Sequence, residues 1–258
     1  MDKEIFHERT LEDFMYQVMG RLAKMSAPLV FKGAMITKLI LKENGYLAHD
    51  RSTLDIDVNW VGEPPSMERL LGIIKRSLEE YRDELAVEVV RKYTPELIAI
   101  FHVVNREDKH QIFRLDVDIY PVLGSKTYQH GEASFPGVLP DEVLCDKISV
   151  ISCDRLLRRA KDMADLYALS RCLTVDTKNI FESFAKKPKQ TLGFFDSFLN
   201  HHKEVKRAYN KLRGVVDKPR FDDVYSCLLV FLKPFITRDI KPKLWNHKEL
   251  IWRENGDT

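Results

Sequence analysis

The chain has 258 residues, 44% of them apolar, enough to bury a core in one large domain or two modest ones. Its 41 basic and 39 acidic residues leave a formal charge of +2, which excludes a global field, so a polyanionic partner has to be met by a local patch. No apolar run is long enough to span a membrane, and Cys145, Cys153, Cys172 and Cys227 lack zinc-ligand spacing, so the expectation is a cytoplasmic protein with reduced thiols and no membrane segment.

Residues 4–25 repeat Leu11, Phe14, Met15, Val18, Met19 and Leu22 at helical spacing. Leu29-Val30-Phe31 then reads as a strand that turns at Gly33 into a helix over Met35–Lys42. From Leu54 to Trp60, apolar residues alternate with Asp55, Asp57 and Asn59, a period of two that puts both acids on one strand face. Gly62-Glu63-Pro64-Pro65 stops that strand, and Met67–Tyr81 reads as a helix. Strands are expected over Ala86–Tyr93, Leu97–Val104 and Ile112–Tyr120, with a hairpin turn at Asn105–His110. Gly124–Pro140 reads as loop, and the remainder as helices over Asp141–Ser152, Asp154–Arg171, Thr177–Lys186, Thr191–Leu212 and Phe221–Ile236. The fold class is therefore α/β, a mixed-sheet domain over residues 1–135 followed by a helical domain over 136–258.

The chemistry concentrates in two strands. Arg51-Ser52-Thr53-Leu54-Asp55-Ile56-Asp57 is followed by Arg114-Leu115-Asp116-Val117-Asp118, and each strand offers two acids on one face. If the strands are neighbours, each pair of carboxylates at about 4 Å costs on the order of 1 kcal/mol in water and several-fold more at a protein-like dielectric. A hard divalent cation removes that repulsion, because Mg²⁺ takes carboxylate oxygens together with substrate phosphates. The competing reading is the solvated side of a half-open sheet.

Phe31-Lys32-Gly33-Ala34-Met35-Ile36-Thr37-Lys38-Leu39, then Arg51-x-Thr53-x-Asp55-Ile56-Asp57, then Arg114-Leu115-Asp116-Val117, resembles the motif succession of the AbiEii/AbiGii nucleotidyltransferase toxins of the DNA polymerase β-like superfamily. Asp146-Lys147-Ile148 and Arg158-Arg159-Ala160-Lys161-Asp162-Met163-Ala164-Asp165-Leu166 are similar to that family's carboxy-terminal signature.

The resemblance implies transfer of a nucleoside monophosphate from an NTP to an acceptor hydroxyl, with Mg²⁺ or Mn²⁺ as cofactor. Asp55 and Asp57 would ligate the metals and Asp116 would complete the site, acting also near the proton of the attacking hydroxyl. Asp118 competes for that third place, though the family's motif ends on the position of Asp116. Lys32, Gly33, Ala34, Arg51 and Thr53 would contact nucleotide; the family usually has Gly or Ser where this chain has Ala34, so a hydroxyl contact is lost. Arg51 could equally pair with a strand acid. Lys147, Lys161, Asp162 and Asp165 would present the other half of the nucleotide cleft. An RNA acceptor, tRNA above all, and an antitoxin partner follow from the same resemblance. Arg91, Lys92, Arg158, Arg159, Lys161, Lys186, Lys187 and Lys189 are candidates for the RNA surface, with Tyr93 to stack a base. A small-molecule or protein acceptor, or a catalytically silent nucleotide-binding module, are the alternatives.

Overall fold

The computed structural model describes residues 8–25, 27–92, 94, 98–153, 156–187 and 190–254. They divide into two compact units, the first running up to Leu39 and resuming over Ser52–Leu139, the second comprising Ile40–Arg51 and the chain from Pro140 onward.

The first unit contains, in chain order, α1 (Glu8–Lys24), β1 (Leu29–Lys32) and the start of α2 (Gly33–Glu43). The division falls inside α2, and β2 (Asp50–Arg51) belongs to the second unit. The first unit resumes with β3 (Asp55–Trp60), α3 (Met67–Ser77), β4 (Leu85–Arg91), β5 (Ala99–Asn105), β6 (Gln111–Asp118), β7 (Ser125–His130) and β8 (Ala133–Val138). The strands form a mixed sheet of seven in the order β4-β5-β6-β3-β1-β8-β7. Two neighbouring pairs are parallel, β3 with β6 and β1 with β8; the others are antiparallel.

Alternation decides which face each side chain takes. Ile56 and Val58 of β3 and Phe113, Leu115 and Val117 of β6 are buried, and α1 packs its apolar stripe beside them: the Phe14 ring meets Phe113 edge-on at 6.0 Å and Tyr81 at 4.9 Å. Tyr16 stacks on Phe135 at 6.0 Å and donates its hydroxyl to the Met35 carbonyl at 3.1 Å. The acids of β3 and β6 are thereby directed to the other face of the sheet.

The stretch Gly124–Pro140, expected as loop, is mostly the β7–β8 hairpin, tied in register from Ser125↔Val138 to His130↔Ala133. Gly131, at φ +55°, makes the tight turn. Pro136 and Gly137 inside β8 are the residues that argue against a strand, yet β8 joins the sheet beside β1 at Phe31↔Gly137. The expected helix over Met67–Tyr81 is α3 followed by a 3₁₀ turn at Glu79–Tyr81. Tyr93 and Leu97, at the expected strand ends, lie outside the described residues.

The second unit holds α4 (Pro140–Ser152), a 3₁₀ turn at Leu156–Arg158, α5 (Lys161–Ser170), β9 (Val175–Asp176), α6 (Thr177–Lys186), α7 (Asp196–Asn200), α8 (His202–Asn210), β10 (Val215–Val216), α9 (Phe221–Ile236), β11 (Lys243–Asn246) and β12 (Ile251–Glu254). Pro140 starts α4, where its missing N–H costs nothing. The single helix expected over Thr191–Leu212 is instead two, α7 and α8, with Phe195 in the left-handed region at φ +59° ahead of the first. The expected Asp154–Arg171 helix is replaced by the 3₁₀ turn and α5; Asp154 lies outside the described residues. Short strands, unexpected after Pro140, pair β2 with β10 and β11 with both β9 and β12.

Pro234 lies within α9 and cannot donate to the Val230 carbonyl one turn back. The Trp252 indole of β12 supplies that donor, at 3.1 Å from Val230 O and 3.0 Å from Phe231 O. Trp245 donates to Ser170 O at 2.7 Å. No helix among the described residues is long and apolar enough to cross a membrane.

Candidate active site

Strand register builds a row of charged side chains. Lys32 of β1 opposes Asp57 of β3, and Asp57 opposes Asp116 of β6. One step along, Asp55 opposes Arg114; one step the other way, Asn59 opposes Asp118. Neighbouring strands lie about 4.8 Å apart, and directly opposed residues share a face. The structure thus brings Asp55, Asp57 and Asp116 together on one face.

Gly33 marks the end of β1 and the first residue of α2. Its φ of +71° favours glycine, and a Cβ there would stand 2.0 Å from Asp57 Oδ2 and 2.9 Å from Asp57 Cβ. The space a side chain would need is filled by the Asp57 carboxylate. The first-turn N–H groups of α2, at Gly33 and Ala34, begin at this point, where the helix dipole favours anions. Thr53, half-buried, accepts from the Asp55 N–H through its hydroxyl at 3.3 Å.

Two cations answer the acids. Arg114 grips Asp116 with both arms, Nε to Oδ1 at 2.5 Å and Nη2 to Oδ2 at 2.6 Å. The hydrogen bond to Asp116 holds the Arg114 pKa above its usual value against the effect of burial, with the negative charges of Asp116, Asp55 and Asp57 adding to it. Lys32 pairs with Asp118 Oδ2 at 2.9 Å, while Asp118 Oδ1 accepts from the Tyr120 N–H at 3.2 Å. Asp118 is therefore occupied on both oxygens and stands opposite Asn59, whereas Asp116 stands opposite Asp57.

The carboxylate donors suit a hard divalent cation in kind and in register. Their orientation is a separate matter. Asp116 is turned to Arg114, and among the described residues no group of three or more His, Cys, Asp or Glu side chains is gathered for a metal ion.

A second cluster, in the other unit, is closed. Lys147, buried on α4, donates to Asp162 Oδ1 at 2.7 Å and to Asp165 Oδ2 at 2.6 Å on α5. His49 Nε2 lies 2.9 Å from Asp165 Oδ1, and Arg51 reaches the same carboxylate at 3.1 and 3.3 Å. Arg159 holds Asp162 at 2.7 Å. Burial by itself would lower the Lys147 pKa, but the charges of Asp165 and Asp162 outweigh it and raise the value. Burial likewise opposes ionisation of Asp165, and Lys147, the His49 hydrogen bond and Arg51 hold its carboxyl well below the usual range. Arg51 thus pairs with a helix acid, not with one of β3 or β6. Lys161 starts α5 next to Asp162.

His49 was not singled out from the sequence: a lone histidine in a loop gives no signal when its partner is 116 residues away. Of the basic residues proposed as an RNA surface, Lys187 is buried and pairs with Glu142, which removes it from any such surface. Lys92, Arg158 and Lys186 are exposed, Arg91 donates to the Ile98 carbonyl at 3.0 Å, and Tyr93 and Lys189 lie outside the described residues.

Residues 17–247 match the profile of the family described as nucleotidyl transferase AbiEii toxin, type IV toxin–antitoxin system. Among solved structures, JHP933 from Helicobacter pylori superposes with a TM-score of 0.56 at 14% identity, covering 90% of this chain and 92% of that one. MenT4, a nucleotidyltransferase toxin from Mycobacterium tuberculosis, superposes with a TM-score of 0.49 at 12% identity, over 90% of this chain and 82% of its own. Comparison with curated protein sequences gives no match. The likeness to JHP933 is one of fold; the profile extends over most of the chain, including both carboxylate strands, α4 and α5. The chain belongs to the AbiEii nucleotidyltransferase toxin family, NTP-dependent enzymes of type IV toxin–antitoxin systems.

Proposed function

We propose that the chain transfers a nucleoside monophosphate from an NTP to the hydroxyl of an RNA acceptor, tRNA foremost, in a reaction that depends on Mg²⁺ or Mn²⁺ held by Asp55, Asp57 and Asp116. The observation that carries this reading is the direct opposition of Asp57 and Asp116 on neighbouring parallel strands, with Asp55 two residues along the same face. A divalent ion there would supply the charge that neutralises triphosphate oxygens during in-line displacement. The acceptor oxygen bonds to the α-phosphorus, the bond from that phosphorus to the bridging α–β oxygen breaks, pyrophosphate leaves, and the hydroxyl proton is lost near Asp116.

The chain's own groups bind and orient. The N–H groups of Gly33 and Ala34 would donate to triphosphate oxygens, with Lys32 and Thr53 beside them. In the other unit Lys147, Asp162 and Asp165, expected from the sequence to bind nucleotide, close on one another, and Asp165 also holds Arg51 and His49. An antitoxin partner that restrains the activity completes the reading.

The test is incubation of the purified protein with labelled NTPs, Mg²⁺ and total RNA. Label is expected in acid-insoluble RNA, and Asp57→Ala is expected to abolish it along with growth arrest in cells. Acid-soluble labelled product would move the acceptor to a small molecule. No transfer to any acceptor, together with growth arrest that Asp57→Ala leaves intact, would overturn the proposal.

A further inference from the structure

The side chain that stands where the metal reading needs a ligand is Arg114. Its guanidinium lies flat against Asp116, with Nε on one oxygen and Nη2 on the other. A fork of this kind takes the in-plane lone pairs that a carboxylate also offers to a metal ion. It also places a positive charge beside any divalent cation held by the same group. Asp116 is 11% exposed at its side chain and Arg114 34%, so the carboxylate is enclosed while the arginine has an open side toward which it can turn. The backbone below does not have to move: the Arg114 N–H is anchored to the Leu54 carbonyl at 2.7 Å, and Arg114 and Asp116 are paired with Asp55 and Asp57 of β3 and with His102 and Ile100 of β5.

We propose that Arg114 is a latch on the third carboxylate. Without metal it compensates the three acids and holds Asp116 away from Asp55 and Asp57; with metal it releases Asp116 and turns outward. The metal affinity of the site is then set by competition with a residue two positions from its own ligand. This rests on the reading of Asp55, Asp57 and Asp116 as the metal set.

The opposing account makes Arg114 a supporting partner that orients Asp116 for the metal. Removing such partners typically weakens metal binding about 10- to 100-fold. The two accounts therefore differ in sign. Mn²⁺ binding is measured by titration calorimetry on the full chain for wild type, Arg114→Gln, Arg114→Lys, Asp116→Asn and the double variant Arg114→Gln/Asp116→Asn, with melting temperatures recorded with and without Mn²⁺.

The latch gives a roughly tenfold or larger gain in affinity for Arg114→Gln, a smaller gain for Arg114→Lys, and no gain from removing Arg114 once Asp116 is Asn. It also gives an Arg114→Gln protein that is less stable than wild type without metal and recovers when Mn²⁺ is added. Equal or weaker binding by Arg114→Gln overturns the latch, as does a gain that persists undiminished in the Asp116→Asn background. Should Arg114→Gln fail to fold, Arg114→Lys decides by the same sign. Failure of the underlying reading looks different: Asp57→Asn would then bind Mn²⁺ as wild type does.

Discussion

Replacing Gly33 by Ala tests the packing on which the acid row rests. The new Cβ would meet Asp57 Oδ2 at 2.0 Å, Cγ at 2.8 Å and Cβ at 2.9 Å, at a residue whose φ is +71°. Turning the carboxylate aside removes the first two contacts but not the third, because the Asp57 Cβ is fixed to the backbone of β3. The left-handed conformation costs an alanine about 1–2 kcal/mol, and overpacking of this kind about 1–3 kcal/mol. The expected loss is therefore about 2–5 kcal/mol, or roughly 4–20 °C in Tm for a chain of this size. Nucleotide transfer should fall further than stability, since the displaced group is a proposed metal ligand. Gly72→Ala is the control: it lies in α3, a Cβ there meets nothing within 4 Å, and it should stabilise by about 0.5–1 kcal/mol. Thermal melts and transfer assays on both variants, and on Gly33→Ala/Asp57→Ala, make the comparison. In the double variant the contacts with the carboxylate are gone but the 2.9 Å contact with the Cβ of residue 57 remains, so the loss caused by Gly33→Ala should shrink only in part. A Gly33→Ala protein that melts with wild type and transfers nucleotide normally would refute the reasoning.

Three further expectations follow from the other unit. Lys147→Met leaves Asp162 and Asp165 buried with one fewer cation and should cost about 3–5 kcal/mol, read as a lower urea midpoint; an unchanged midpoint would show the network to be energetically idle. Asp162 and Asp165 both have folded pKa values below the ordinary carboxylate value, so the stability they lend is complete above about pH 4 and is lost as pH falls through their folded values. Wild type should accordingly lose stability below about pH 4 more steeply than Asp162→Asn/Asp165→Asn, and parallel urea-midpoint profiles would contradict this. Trp252→Phe keeps the ring but removes the donor to Val230 O, at a cost of about 1 kcal/mol. Adding Pro234→Ala, whose N–H can serve that carbonyl, should recover part of the loss; no recovery would mean that the indole acts through packing alone.

What could be read from the sequence, and what could not, follows from the range of the forces involved. The strands β3 and β6 were legible because one face of each is apolar throughout, so Asp55, Asp57, Asp116 and Asp118 fall on the other by alternation alone. Their adjacency is a property of chain topology, supplied by the parallel pairing of β3 with β6. The β7–β8 hairpin was not legible: in β7 only Tyr128 is buried, and β8 carries Pro136 and Gly137. The strands β2, β9 and β10 have two residues each, too few for any period to appear. Arg114 shares a face with Asp116 by alternation, but its choice of Asp116 over Asp55 depends on side-chain geometry. Arg51 gave even less, since its carboxylate lies 114 residues away on α5.

The two charged clusters obey different balances, and the difference separates stability from function. Around α5 two carboxylates, Asp162 and Asp165, meet Lys147, Arg51 and Arg159, with His49 also at hand; the acids are outnumbered, deeply buried and saturated with donors. Such a cluster needs nothing more, and its value is to fix the segments that carry it. On the sheet face, Asp55, Asp57, Asp116 and Asp118 share the register rows with Lys32 and Arg114, an excess of acid that folding would not select. Arg114 forms an ion pair with Asp116 and Lys32 one with Asp118. On the proposed reading a divalent cation corrects the imbalance, and the absence of a side chain at Gly33 leaves the space that the Asp57 carboxylate fills.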